Sequence, residues 1–209
     1  MEQESRHQCL IYAGSPSLKL PMLAAMIRQN IGHGYRCLYL NRAPMVAGTR
    51  SYLSAIDVSV ADEIAKGRLV LSSEPPSLDE SFDMEQMLLM LEDTLNQALS
   101  DGYKGLWVTG DMTWEFGSEK DFSKLVEYEW RLEELFRKRS ELRGICQYHR
   151  DTLPDEVMRQ GVLTHQTIFI NETLSRINPH YVASGLSVER RAMNLELDMV
   201  VNACCHTEK

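Results

Sequence analysis

Three things are scarce in this 209-residue sequence: cysteines at paired spacing, basic charge and long apolar runs. The five cysteines, Cys9, Cys37, Cys146, Cys204 and Cys205, contain no CxxC and are odd in number. That excludes a disulfide scaffold and a zinc ribbon, and it points to a reducing cytoplasmic setting. Lys and Arg total 22 against 30 Asp and Glu, a net charge of −8. Such a balance does not supply the broad basic surface that tracks phosphates, so no direct nucleic-acid binding is expected. No stretch approaches the roughly 18 consecutive apolar residues of a bilayer crossing, and no membrane partner is expected. The polar, acidic opening from Met1 to His7 is unlike an export signal. Repeats and Gly/Ser- or Pro-rich linkers are also missing, which favours a single domain over 1–209. Its core is expected at about residues 7–183, with 184–209 an extension of unassigned structure.

What is there reads as alternating strands and helices. Hydrophobic residues make up 44% and charged ones 25%, enough apolar material to fill a core. Cys9-Leu10-Ile11-Tyr12 is a strand, Gly14-Ser15-Pro16-Ser17 a turn, and Leu20, Leu23, Ala24, Ile27 and Ile31 recur at helical spacing up to Gly32. Arg36–Leu40 is the next strand, which completes a βαβ unit and implies a parallel sheet. Further strands are expected at Arg68–Leu71, Gly105–Thr109, Gly144–Tyr148 and Thr167–Ile170. Helices are expected over Met84–Leu99, Phe122–Arg139 and from Pro154 toward Gly161. The predicted class is therefore α/β, a three-layer arrangement with a mostly parallel sheet flanked by helices. Residues 41–50 and 73–83 read as loops, and the tail after Val182 as either an edge strand or a peripheral helix.

In such sheets ligands gather at the carboxyl ends of the strands. The first such end, Gly14 to Pro21, lies where a phosphate-binding loop would carry GxxxxGK[ST]. Aligned on Gly14, Lys19 replaces the second glycine, Leu20 the lysine and Pro21 the hydroxyl residue. A residual anion site there would use Lys19 with the helix N-terminus. At the second end, Asp111 follows a buried strand as a metal-holding or water-positioning aspartate would, with Trp114 beside it. The plain alternative is an aspartate that caps the next turn.

Glu127 and Glu129 are two apart on a helix and cannot share a face, so one of them faces solvent. Glu133 and Glu134 read as exposed-helix chemistry, Glu134 pairing with Lys138. His7 and Cys9 share one strand face, as do Cys146 and Tyr148, which makes a His7, Cys9, Cys146 cluster conceivable. With His149 and His165 they complete the set of candidate ligands or nucleophile and base. Packing is the reading preferred for the cysteines, with no metal assigned.

Seven blocks in order resemble the MEDS domain, the sensory module of methanogens, methylotrophs and the regulator of dichloromethane metabolism. They are His7–Tyr12, Gly34–Leu40, Gly102–Trp114, Glu127–Glu129, Cys146–Tyr148, His165 and Asn178–Tyr181, which span most of the chain. The resemblance implies a RecA/KaiC-like fold with a degenerate P-loop and a sensory role, often beside a histidine kinase or a DNA-binding domain. KaiC-like hydrolases carry catalytic glutamates where this chain has Asn41-Arg42-Ala43-Pro44, so ATP hydrolysis is not expected. No separate helix-turn-helix segment is present, so any DNA contact would come from a partner.

Three functions follow from these residues. The leading one is a cytoplasmic sensory domain that binds a small ligand or a signalling protein, such as a histidine kinase or transcription regulator. Its expected ligand-binding residues are Tyr12, Ser15, Lys19, Asp111, Trp114, Glu127, Tyr148 and His165. No cofactor is assigned, ATP or another nucleotide being the one its ancestry leaves open, and a homodimer is the expected oligomer. The rival is a nucleotide-binding or hydrolysing enzyme, with Asp111 or Glu127 as base or metal carboxylate and His165 as acid. The third is a scaffold that binds only protein, its strand ends filled by its own aromatic side chains.

Overall fold

The computed structural model describes residues 6–73, 82–115, 122–170, 174–177 and 181. Six parallel strands form the sheet: β1 (His7–Tyr12), β2 (Arg36–Leu40), β3 (Leu69–Ser72), β4 (Leu106–Asp111), β5 (Leu142–His149) and β6 (Thr167–Ile170). A seventh, β7 (Leu174–Ile177), pairs antiparallel with β6. Their order in space is β3-β2-β4-β5-β1-β6-β7. Buried on both faces, β2 and β4 need apolar or satisfied side chains at every position, which is why they read as continuous apolar runs.

The helices divide between the two faces. On one face, α1 (Leu20–Gly32), α2 (Ala43–Ala55) and α3 (Val60–Ala65) bury Leu23, Ala24, Ile27, Leu53 and Val60 against Leu10, Tyr12, Cys37, Tyr39 and Trp107. On the other, α4 (Met84–Ser100), α6 (Phe122–Lys138) and α7 (Asp155–Thr164) cover Cys9, Ile11, Leu38, Val108, Cys146 and Tyr148. The short α5 (Met112–Glu115) follows β4 directly. In α4 the spacing of Met87, Leu91, Leu95 and Ala98 sets the buried stripe, and the Asp83 side chain caps the N-terminus by accepting from the Gln86 N–H at 3.0 Å. Gly144 in β5 has no room for a side chain. A Cβ there would lie 2.5 Å from the Val108 carbonyl oxygen and 3.0 Å from the Phe136 ring.

Most of the expected elements are found: β2 and β6 have the expected bounds, and the other boundaries lie within three residues. Residues 41–50 are not a loop, because α2 occupies most of them. That helix starts with Pro44 in its first turn and buries only Thr49 and Leu53, so it has a proline start but almost no apolar period to read. For α3, which is six residues long, the reason is the same. The strand β7 was not anticipated either. Residues 74–81 of the expected 73–83 loop, the block Asn178–His180 and the tail 182–209 lie outside the described residues.

Candidate functional site

Two polar constellations stand on opposite faces of the sheet. The first is at the carboxyl ends of β1, β4 and β5, on the α1–α3 face. Side chains alternate along a strand, so Tyr12 and Asp111 emerge on the same side even though β5 runs between their strands. The Tyr12 hydroxyl donates to Asp111 Oδ2 at 2.7 Å, and both residues are buried. Burial, then the adjacent Asp111 carboxylate, push that hydroxyl well above its ordinary pKa. The second carboxylate oxygen, Oδ1, accepts from the Thr113 N–H at 2.9 Å and from the Thr113 hydroxyl, so Asp111 also caps the turn into α5.

The turn after β1 is tied down in the same way. Gly14, at φ +74° in the left-handed region, donates its N–H to Asp151 Oδ2 at 2.8 Å. Its carbonyl oxygen accepts from His149 Nε2 at 2.9 Å, which places the proton on that nitrogen. The His149 ring stacks on Tyr12, with centroids 4.8 Å apart and planes inclined by 20°. Ser15 is exposed and its hydroxyl meets that of Ser17 at 2.8 Å, whereas Lys19 is buried at the end of the turn.

The second constellation lies on the α4/α6/α7 face, near the start of β1. His7 and Cys146 come from neighbouring strands, Glu129 and Glu133 from successive turns of α6, and His165 from the end of α7 just before β6. His7 Nδ1 contacts Glu133 Oε2 at 2.9 Å, and its Nε2 is 3.3 Å from Cys146 Sγ and 3.8 Å from Glu129 Oε2. His165 Nδ1 donates to the Gly161 carbonyl at 2.6 Å, leaving its Nε2 turned toward Glu129 Oε2 at 3.5 Å. Every one of these side chains is buried. His7 fits because its register partner in β5 is Gly144, which leaves space for the Phe136 ring to stack on the imidazole at 4.4 Å.

Burial dominates the electrostatics of this cluster. It lowers His7 to about 3 and His165 well below the usual imidazole value, the neighbouring His7 adding to the latter shift. It raises Glu129 to about 8, an effect partly opposed by the Tyr148 hydroxyl and Cys146 thiol beside it. Neither of those groups reaches hydrogen-bonding geometry, and among the described residues neither Glu129 oxygen has a hydrogen-bond partner. Glu133 is raised too, again by burial, and it accepts from Tyr181.

The expected ligand-binding residues are thus split. Tyr12 and Asp111 come together at one end, with Ser15 and Lys19 on the adjoining turn. Tyr148 and His165 belong to the other face, where their rings meet edge to face at 5.8 Å. Glu127 faces solvent and joins neither group. The side chain of Trp114 lies outside the described residues. Glu129 and Glu133, read from sequence as exposed-helix chemistry in the case of Glu133, are buried instead. They share a stripe with Leu125, Tyr128, Leu132 and Phe136, and carboxylates on an otherwise apolar helical face were the signal that could have found them. Glu134 does pair with Lys138, at 2.8 Å.

A six-stranded parallel sheet between helical layers, in the order β3-β2-β4-β5-β1-β6, is an α/β fold of the RecA-like kind. The chain is similar to the crystal structure of a KaiC-like protein from the hyperthermophilic archaeon Pyrococcus horikoshii OT3. The TM-score is 0.54 at 11% identity, covering 78% of this chain and 70% of that one. The family model described as MEthanogen/methylotroph, DcmR Sensory domain matches residues 6–166, and the chain belongs to that family, MEDS. Comparison with proteins of curated function gave no match. Among the described residues no helix is long and apolar enough to cross a membrane.

Proposed function

We propose that this MEDS domain is a cytoplasmic sensory module in signal transduction or transcriptional control, which binds a small ligand or a protein partner without hydrolysing ATP. The observation that carries this reading is that the chain's own groups occupy both halves of the nucleotide apparatus. A phosphate loop works by offering backbone N–H groups to the phosphates, but the Gly14 N–H is taken by Asp151. A magnesium-holding aspartate works through free carboxylate oxygens, but both oxygens of Asp111 accept from Tyr12 and Thr113. With Leu20 where the lysine would be and Pro21 in place of the hydroxyl, this is a degenerate P-loop.

A ligand admitted at this edge would have to replace the Gly14 contacts with His149 and Asp151. The exchange would move the turn before α1 and so alter a surface open to a kinase, a regulator or a second copy of the chain. Differential affinity for the closed and opened turn is what converts binding into a signal. The test is a coupled ADP-release assay with Mg2+ and ATP, beside calorimetric titration of ATP. Absence of turnover and of binding heat is expected, and turnover lost in Asp111→Asn would establish the enzyme instead. Tyr12, buried and bonded where a ligand would sit, favours a second reading, a scaffold that recognises protein alone. Binding of a partner protein with no small-molecule response would select it.

A further inference from the structure

The buried constellation on the α6/α7 face is unlike a set of packing residues. Among the described residues, a carboxyl group with neither oxygen hydrogen-bonded sits among two imidazoles and a thiol, all withdrawn from water. Polar groups in such surroundings are ordinarily satisfied by a partner, and a buried carboxyl group with both oxygens unpaired is a costly exception. The imidazoles do not supply that partner. His165 uses its Nδ1–H on the Gly161 carbonyl and His7 turns its Nδ1 to Glu133, so in the neutral tautomers the Nε2 atoms present lone pairs toward the same place as the carboxylate.

The geometry points to a transition-metal site, with His7 Nε2, His165 Nε2, Cys146 Sγ and one oxygen of Glu129 as a closed four-ligand set for Zn2+. One ligand atom from each of the four residues lies within 4.8 Å of the others. Bond lengths of about 2.0–2.3 Å in a tetrahedron put ligand atoms about 3.3–3.7 Å apart. Three of the six separations are 3.3, 3.5 and 3.8 Å and none exceeds 4.8 Å, so an ion enters once the set contracts by up to about an ångström at its widest. Charge agrees with this: one thiolate and one carboxylate neutralise a divalent cation in an apolar layer. Binding releases to solvent the thiol proton of Cys146 and any proton on Glu129.

The outer partners also have the form that metal sites use. Glu133 holds His7 through Nδ1 while accepting from Tyr181, and the Gly161 carbonyl holds His165, which fixes both rings and their tautomers. Glu133 is a positioning residue here rather than a ligand. A set of two imidazoles, a thiolate and a carboxylate suits Zn2+ over Mg2+ or Ca2+, which want oxygen alone. With four protein ligands and no open position the ion is structural, joining β1, β5, α6 and the α7–β6 corner. The site stands independently of the ligand reading above, on the opposite face of the sheet.

The experiment uses the full chain without a histidine tag. The protein is unfolded in chelator, refolded, and titrated with Zn2+ or Co2+. Native circular dichroism with one ion bound per chain, and a thiolate-to-Co2+ charge-transfer band alongside tetrahedral d–d bands, is expected. Failure to refold until Zn2+ is added supports the site equally. Cys146→Ser removes the charge-transfer band, Glu133→Gln keeps it but weakens binding about 10- to 100-fold, and Cys37→Ser leaves both unchanged. A chain that refolds with chelator present and then neither binds Co2+ nor shows the bands overturns the proposal. So does a charge-transfer band that survives in Cys146→Ser. Where that variant fails to fold, the wild-type titration decides.

Discussion

Tyr12→Phe isolates the contact that closes the strand ends. It deletes one oxygen and leaves the ring stacked on His149. The lost interaction is a 2.7 Å hydrogen bond from a hydroxyl to a carboxylate oxygen, in a pair only 2% and 4% exposed. Hydrogen bonds to charged groups contribute about 1.5–3 kcal/mol, and a buried acceptor left short of a donor adds its desolvation cost. Asp111 keeps its two Thr113 contacts, which limits that cost and places the expected destabilisation at about 2 kcal/mol. For a chain of this length that is a fall in Tm of about 4–8 °C. Equilibrium unfolding in urea measures it, and a double-mutant cycle with Asp111→Asn separates the bond from other effects. A coupling energy of about 1–2 kcal/mol is expected for groups in direct contact. Stability within about 0.5 kcal/mol of the parent and no coupling would refute the claim that this bond holds the edge closed.

Three other perturbations test different parts of the structure. Gly144→Ala drives a Cβ to 2.5 Å from the Val108 carbonyl oxygen, backbone that cannot swing aside, and should cost about 3 kcal/mol, at the upper end of overpacking effects; unchanged denaturant unfolding would contradict the β4–β5 packing. Burial pushes the Cys37 thiol far above its ordinary pKa and removes it from solvent, so peptide mapping after alkylation should find Cys37 protected in the native chain and labelled only on unfolding. Labelling at the rate of a free thiol would count against that placement. Arg36→Ala removes a bond to the Gly67 carbonyl at 2.6 Å, the ion pair with Asp101 and a stack on Tyr103 at 5.0 Å. A loss of about 2–3 kcal/mol is expected, as for other buried hydrogen-bonded charges. Because Arg36 holds the Asp101 carboxyl below its ordinary 3.8, the pair's stabilisation is present above pH 4 and lost on acidification below it. Arg36→Ala should therefore unfold with a shallower acid limb, and a limb as steep as the parent's would argue against the pair.

The fold was largely legible because parallel strands buried on both faces are written as apolar runs, and α1, α4 and α6 carry clear 3.6-residue stripes. What failed were elements with little buried surface. Helix α2 buries two residues and α3 is short, so neither leaves a periodic trace. The site was legible in part. Tyr12, Asp111, Tyr148 and His165 are all buried polar or aromatic groups, but strand alternation separates the first two from the last two by the thickness of the sheet. That division depends on which face each strand turns to which helix, and no local pattern in one strand states it. Glu129 and Glu133 escaped because spacing of charges on a helix is ordinarily a property of its exposed side; only their place in the Leu125–Phe136 stripe marks them as inward.

The central claim is that the strand ends of this MEDS domain are filled by its own side chains and do not serve a nucleotide. Native mass spectrometry of the purified full chain, with and without Mg2+ and ATP, tests it most directly. The account predicts a protein mass that ATP leaves unchanged, with any retained small molecule not a nucleotide. An ATP adduct that converts to ADP over the course of the experiment would contradict it.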